Sequence, residues 1–217
     1  MITAMILRLL FGKVRDVGAR SKLFVVWAPL YLRFQVRGHG QAWRIFTHMT
    51  TYERLLLYEL GLQQPPGAVL LEIGSYLGAS TCFLAAAAQD IGGGARAHCV
   101  DTWQNEGMTE APRDTWGEFQ ANTRAYASCI IAHRGRSMDV ANTFTEHLDL
   151  LFIDGDHSYV ACKADLEAWL PHLKYGGVLI MHDYGWAEGV KRAVDEIVKP
   201  RQNGNGHVMQ NTYWARV

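Results

Sequence analysis

The residues with the clearest chemical potential form the sequence "DGDH" at positions 154–157, where a long apolar run stops. Three other apolar runs also lead to an acidic residue, which is Glu72, Asp101 or Asp183. Carboxylates can bind a cation or ligand hydroxyls, and a histidine, with an ordinary pKa of about 6.5, can accept a proton near neutrality. A surface turn would explain Asp-Gly by itself, so the elements that position these residues must decide.

Apolar runs alternate with helical patterns from residue 50 onward. The runs that predict strands are "AVLLEIG", "ARAHCVD", "CIIAHRG", "DLLFID" and "GVLIMHD", and "HVMQNTYWARV" predicts a terminal strand or short hairpin. Thr50 and Glu53 have the spacing of a capping box, with Gly61 as the stop of that helix and Gly176 as the cap of a later one. The alternation is typical of an α/β fold whose parallel sheet is covered on both faces.

The carboxyl ends of parallel strands lie along one edge of a sheet, and ligands of open α/β folds bind there. Glu72, Asp101, Asp154 and Asp183 all stand at the ends of predicted strands. We therefore expect these four carboxylates to converge on that edge and to form a site.

The composition is that of a soluble globular protein, with 49% hydrophobic and 19% charged residues. The formal net charge is zero, but residues 1–40 hold seven of the 21 basic residues and one of the 21 acidic residues. The four cysteines show no CxxC pair and predict reduced core residues of a cytoplasmic protein. Apolar runs in residues 1–40 are too short to cross a bilayer, and the first residues make a poor signal peptide.

The stretch "LLEIGSYLGAST" predicts a strand, a glycine turn and a helix start. Gly74 and Gly78 would let the backbone approach a ligand, with Ser80 near the helix N-terminus. The dinucleotide fingerprint GxGxxG requires a glycine where this turn has Tyr76, which disfavours NAD or FAD, and no GxxxxGK[ST] phosphate loop occurs. Glu72 favours a cationic cofactor, and a purely structural glycine turn is the alternative.

With these motifs the chain resembles class I S-adenosylmethionine-dependent methyltransferases, most of all the small-molecule O-methyltransferases grouped with macrolide-sugar methyltransferases and cephalosporin-hydroxylase-like proteins. The resemblance covers about residues 50–217 and rests on "LLEIGSYLGAS", "CVDTW", the block from "DLLFIDGDHSY" to "LIMHDY", and "TYWARV". The glycine turn is also similar to that of catechol O-methyltransferase. The resemblance implies a Rossmann-like, seven-stranded, mostly parallel sheet with helices on both faces. The preceding residues, 1–49, are predicted to form a helical arm.

The resemblance also implies a cofactor site for S-adenosylmethionine. Its predicted residues are Glu72, Gly74, Ser75, Gly78, Ser80, Asp101, Ser137 and Asp154. Glu72 and Gly74 would hold the amino end of the methionine and Ser80 its carboxylate, while Asp101 would bind the ribose and Ser137 would lie near the adenine. Asp101 as a turn or N-cap residue, and Ser137 as a helix cap, are the alternatives.

Related enzymes bind a divalent cation at the ends of the fourth and fifth strands, and the resemblance places this site at Asp154, His182 and Asp183. Oxygen ligands suit Mg²⁺, and a histidine shifts the preference toward Mn²⁺. Alternatively, His182 packs or donates a hydrogen bond and no metal is needed. Relatives carry a catalytic base where this chain has His157, and Asp156 would orient that imidazole or act as the base itself. Capping of the next helix by His157 is the alternative.

Two segments leave their roles open. Trp103, Met108 and Trp116 would form either an apolar wall for the acceptor or a hydrophobic cluster under a loop, and Tyr184 and Trp186 carry the same ambiguity. Residues 1–40 would form a lid or dimerisation arm or, alternatively, a helix lying on the inner membrane surface.

The sequence therefore predicts methyl transfer from S-adenosylmethionine to a hydroxyl of a small molecule, a sugar or natural-product glycoside, by in-line displacement. A nucleotide-cofactor oxidoreductase on the same fold and a non-catalytic S-adenosylmethionine-binding scaffold are the alternatives. We also expect a homo-oligomer, and the acidic body argues against nucleic acid as a partner.

Overall fold

The computed structural model describes residues 17–105 and 111–217, with side chains from residue 27 onward. Its centre is a seven-stranded sheet in the order β3-β2-β1-β4-β5-β7-β6. The strands are β1 (Val69–Ile73), β2 (Arg96–Asp101), β3 (Ile130–Arg134), β4 (Leu148–Ile153), β5 (Leu173–Met181), β6 (His207–Met209) and β7 (Thr212–Arg216).

The first five strands pair in parallel, and the terminal hairpin joins the sheet antiparallel to β5. Helices cover both faces, so that neighbouring strand residues enter different cores: Leu70 belongs to the same hydrophobic cluster as Phe83, and Leu71 to the same cluster as Leu166. The α helices are α1 (Val17–Val36), α2 (Thr51–Leu62), α3 (Ala79–Ile91), α4 (Trp116–Thr123), α5 (Ser137–Ala141), α6 (Tyr159–Trp169) and α7 (Glu188–Ala193). The predicted fold is confirmed.

Local signals at the helix ends were predicted with mixed success. The capping box of α2 is present, because Thr50 accepts from the Glu53 amide and Glu53 accepts from the Thr50 amide. Gly61, predicted as the helix stop, lies inside α2, where its lack of a side chain lets α2 approach Ala87 of α3. Gly176 lies inside β5 at φ +75° and caps no helix, since α6 already ends at Trp169.

The part of the N-terminal segment that the structure describes packs on the outer side of α2 and α3. The ring of Phe34 stacks on that of Phe83 with centroids 4.4 Å apart, and His39 lies 3.5 Å from Asp90 of α3. Residues 1–16 lie outside the described residues, so the arm at residues 1–49 stays a prediction. Among the described residues, no helix is long and apolar enough to cross a membrane.

Candidate cofactor and catalytic site

The loop between β1 and α3 is held in place by Asp101 at the end of β2. One carboxylate oxygen accepts from the backbone amides of Ser75 and Tyr76, both at 2.8 Å, and the other accepts from the amide of Trp103 at 2.7 Å. Tyr76 has φ +43°, an uncommon value for a residue with a side chain, and the two hydrogen bonds from the backbone amides to Asp101 stabilise that turn. Carboxylate oxygens offer about four acceptor positions in all, so Asp101 retains capacity for a ribose hydroxyl.

The two glycines of this loop are required by contacts within the protein. A Cβ on Gly74 would overlap the backbone carbonyl of Asp154, and a Cβ on Gly78 would overlap Thr123. Both have positive φ, of +86° and +85°. Gly74 thus brings the ends of β1 and β4 together, and the approach of a ligand to either glycine stays a prediction.

Glu72 lies beneath the loop and is fully buried. One of its oxygens accepts from the Thr81 hydroxyl, and the other, Oε1, is buried with no hydrogen-bond partner among the described residues. Burial raises the pKa of Glu72 to about 7, although the nearby hydroxyls of Ser80, Thr81 and Ser75 act in the opposite direction. A buried acceptor without a donor is costly, and a cationic amino group is the kind of ligand that would satisfy it.

His182, directly after β5, lies among three carboxylates. Its Nδ1 is 2.9 Å from Asp154 and 3.2 Å from Asp183, and its Nε2 is 3.5 Å from Glu53. Burial alone would lower the pKa of His182, but Asp154, Asp183 and Glu53 together raise it to about 12. The imidazolium therefore balances the charge of this cluster.

The same cluster has the chemistry of a cation site. Asp154, His182 and Asp183 can each bring one ligand atom within 4.8 Å of the others. Two carboxylates and an imidazole suit Mn²⁺ or Mg²⁺, and the residues present fit such an ion. Because an imidazole must lose its proton to bind a metal, the cation and the His182 proton compete for one place.

His157 approaches this cluster from the loop after β4. Its Nε2 lies 2.7 Å from Asp183, and the imidazole is 43% exposed, so that an acceptor could reach it. The hydrogen bond to Asp183 raises the pKa of His157. Burial alone would raise the pKa of Asp183. Hydrogen bonds from His157 and His182 nevertheless hold the pKa of Asp183 well below its usual range.

The structure differs from one alternative and one expectation for this loop. Ser158, and not His157, caps α6, because its hydroxyl accepts from the Ala161 amide. Asp183, and not Asp156, orients the imidazole, whereas Asp156 accepts from the Ser158 amide at 2.6 Å and shapes the turn.

Ser137 is not the helix cap that was its alternative, and Trp103 takes the second of its two predicted roles, the hydrophobic cluster. Ser137 is the first residue of α5 and not its cap, and its hydroxyl accepts from the indole of Trp169 at 2.8 Å. Trp103 is completely buried and packs against Trp116 and Phe119, which makes it part of a hydrophobic cluster. Met108 lies outside the described residues.

The four strand-end carboxylates form two groups. Glu72 and Asp101 hold the glycine loop from below and from the side, whereas Asp154 and Asp183 surround His182. The convergence on one edge of the sheet is as predicted, but the two groups have different partners and different chemistry.

The contribution of Glu53 to this site was missed from the sequence, whereas Trp186 was named there with its role left open. Glu53 contacts His182 in addition to capping α2, and its capping-box spacing had already explained it. Trp186 is 56% exposed, its indole donates to Asp183 at 2.6 Å, and its ring lies 5.0 Å from that of His157. Its position just after β5 was the only signal of this placement.

Comparisons with known proteins agree with this geometry. A family model described as a methyltransferase domain matches residues 71–184, which is more than half of the chain. The solved structure of the O-methyltransferase NovP has a TM-score of 0.65 at 18% identity, covering 78% of this chain and 81% of that one. An O-methyltransferase from Bacillus cereus, solved with S-adenosylhomocysteine, has a TM-score of 0.60 at 17% identity and covers 100% of both chains.

Curated relatives match over shorter stretches. The uncharacterized protein y4gI of Sinorhizobium fredii is 33% identical over 125 residues, which are 52% of this chain and 13% of that protein. The uncharacterized protein R132 of Acanthamoeba polyphaga mimivirus is matched over 31% of its length, so the chain spans less than a third of either relative. The match to the family model and the shared fold show that the chain belongs to the methyltransferase-domain family, with the class I S-adenosylmethionine-dependent methyltransferase fold.

Proposed function

We propose that the protein transfers a methyl group from S-adenosylmethionine to a hydroxyl of a small molecule. The observation that carries this proposal is the placement of His157, hydrogen-bonded to Asp183, at the same sheet edge as the glycine loop and Glu72. The loop and Glu72 have the donors and the unfilled acceptor for a cationic amino-acid end, and His157 provides a base nearby.

His157 would accept the hydroxyl proton as the oxygen attacks the methyl carbon in line with the breaking S–C bond. Asp183 would hold the imidazole in place and stabilise its protonated form. S-Adenosylhomocysteine and the methylated oxygen are then the products. Asp154, His182 and Asp183 would hold a divalent cation, which when bound supplies charge that favours the deprotonated acceptor.

Trp186 supports an acceptor with a flat apolar face. Its ring is exposed, stands at 72° to the His157 imidazole and is fixed by the bond to Asp183. An acceptor stacked on this ring would present a hydroxyl at the edge, beside the base. Sugar faces and aryl rings both stack on indole, and we propose a sugar or natural-product glycoside.

The remaining partners also stay proposals. We propose a homo-oligomeric assembly and contact of residues 1–40 with an anionic membrane surface. We propose no nucleic-acid partner.

The test combines binding and turnover. Calorimetric titration is expected to show micromolar binding of S-adenosylmethionine and S-adenosylhomocysteine. A screen of sugar and aryl acceptors for radiolabelled methyl transfer follows. His157→Ala should lose at least about 100-fold in turnover while its cofactor affinity stays within about twofold, because the base acts in the transition state. The control is His207→Ala, whose imidazole lies in the edge strand β6 and stacks on Trp214.

Absence of cofactor binding would overturn the proposed function. Near-normal turnover of His157→Ala would remove the base from the mechanism and leave the cofactor assignment standing.

A further inference from the structure

A group of hydrogen-bond donors without acceptors lies where the N-terminal segment meets α2 and α3. Arg54 of α2 is 9% exposed, and its Nε and Nη1 are buried without a hydrogen-bond partner among the described residues. The guanidinium lies over the ring of Trp43, 4.7 Å from its centroid, and the indole Nε1 of Trp43 is also buried and unpartnered. Three donor atoms on two touching side chains therefore face no acceptor.

The carboxylates nearest in sequence or in the packing are engaged elsewhere. Glu53, the preceding residue, accepts from the amides of Thr50 and Asn211 and contacts His182. Asp90 of α3 accepts from Tyr58 and pairs with Arg37 and His39. A buried guanidinium without an anion is costly, and an anionic ligand is the kind of group that would satisfy it.

Arg54 belongs to α2, and its position beside α3 shows which ligand it can reach. Ser80, Phe83 and Ala87 are spaced to lie on one face of α3. Ala87 packs against Gly61 of α2, and one turn earlier Phe83 packs against Arg54, whose Cζ is 5.6 Å from the ring centroid. Because Gly61 meets Ala87 and Arg54 meets Phe83, the two helices run in the same direction. Ser80, at the beginning of α3, lies one further turn along this face.

Both helices begin at the edge of the sheet that carries the candidate site. Glu53 in the first turn of α2 contacts His182, which follows β5, and α3 begins directly after the glycine loop. Helices of this length carry partial positive charge at their N-termini, which adds to the charge of Arg54 and favours an anion there.

We propose that Arg54 and the indole of Trp43 bind the carboxylate of the amino-acid end of S-adenosylmethionine, beside Ser80. This inference rests on the proposed function. It extends the cofactor site beyond the glycine loop and includes Trp43 of the N-terminal segment, which closes over the guanidinium. The ammonium would lie at Glu72 and the carboxylate at Arg54, so that each buried charge has its counter-charge.

The test separates the carboxylate from the rest of the cofactor. Titration calorimetry would compare S-adenosylhomocysteine with its decarboxylated analogue, which keeps the ammonium. In Arg54→Met the affinity for S-adenosylhomocysteine should fall by roughly 10-fold to 100-fold, whereas the affinity for the analogue should stay within about twofold. Arg192→Met is the matched control, because Arg192 also stacks on a ring, that of Tyr159, but already pairs with Glu196.

Two further variants cover a failure of Arg54→Met to fold. Arg54→Lys keeps the charge without the planar guanidinium and should lose roughly threefold to tenfold for S-adenosylhomocysteine alone. Trp43→Phe keeps the ring and removes the N–H, and it should lose roughly threefold for the same ligand. Without ligand, Arg54→Met should resist urea at least as well as the unaltered protein, since it removes an unpaired buried charge.

Three results would overturn the inference. Unchanged affinity of Arg54→Met and Arg54→Lys for S-adenosylhomocysteine would refute this inference and leave the proposed function standing. Equal losses for both ligands together with a lower urea midpoint would mean that Arg54 only holds the N-terminal segment in place. Failure of the unaltered protein to bind S-adenosylhomocysteine would refute the proposed function, and this inference with it.

Discussion

The substitution Glu72→Gln should make the ligand-free protein more stable, and increasingly so as the pH rises. Glu72 is fully buried, and its pKa is raised from 4.5 to about 7 because burial disfavours the charged carboxylate. Between these two values the folded state holds a proton that the unfolded state has lost. The free energy of unfolding therefore falls as the pH rises through this window. At 1.36 kcal/mol for each pH unit, the loss attributable to Glu72 is about 3 kcal/mol.

Glutamine keeps the acceptor for Thr81 and removes the titration. Its amide also gains a local acceptor, because the Ser75 hydroxyl is buried and has no partner among the described residues. Urea unfolding of both proteins would be measured between pH 5 and pH 8.5. The advantage of Glu72→Gln should grow by about 3 kcal/mol over this range, and the difference between the two proteins removes the titration of all other groups.

The cofactor should reverse this order. An ammonium beside Glu72 stabilises its ionised form, so binding of S-adenosylhomocysteine to the unaltered protein should release a proton near pH 6. Calorimetry in two buffers of different ionisation enthalpy measures that proton. Glu72→Gln should release none and should bind roughly 30-fold more weakly. An advantage of Glu72→Gln that does not change with pH, or proton release that persists in the variant, would refute this account of Glu72.

Three further predictions concern other parts of the molecule. Burial lowers the pKa of His98 to about 4, so the free energy of unfolding should fall by about 3 kcal/mol as the pH drops from 6.5 to 4. Urea titrations of His98→Gln should show a smaller fall over the same range. A fall equal to that of the unaltered protein would contradict this role of His98. Gly78→Ala should cost roughly 2–3 kcal/mol in urea, because φ is +85° and the new Cβ meets Thr123, whereas Gly117→Ala, in open space within α4, should be neutral or stabilising. Mn²⁺ binding, measured by titration calorimetry, should be lost in Asp183→Asn and retained in the control Asp139→Asn; retention in both would exclude Asp183 as a ligand.

Much of the fold follows from local patterns that tertiary contacts did not override. The apolar runs of β1 and β4 are buried on both faces, and such runs read clearly in a sequence. Gly61 and Gly176 were misread because a glycine has the same local signature whether it ends a helix or admits a neighbouring element. Only the packing of α2 on α3 shows that Gly61 makes room for Ala87.

The candidate site divides along the same line. The strand ends placed Asp101, Asp154 and Asp183 on one edge, because parallel strands share their direction. Their hydrogen-bond partners could not be predicted, since these depend on side-chain positions from several elements. Asp183 orients His157 across two different loops, whereas Asp156, the closer residue in sequence, turns toward its own backbone.

Glu53 and Arg54 show why local patterns hide parts of a site. Adjacent residues on a helix point in different directions, so Glu53 reaches the cluster at His182 while Arg54 enters the aromatic contact with Trp43. The capping box accounts for Glu53 fully at the level of sequence, and nothing local marks Arg54 as unpaired. Both assignments depend on the first turn of α2 lying at the carboxyl edge of the sheet. A helix that precedes the first strand can therefore supply two charged groups to the site without any motif of its own.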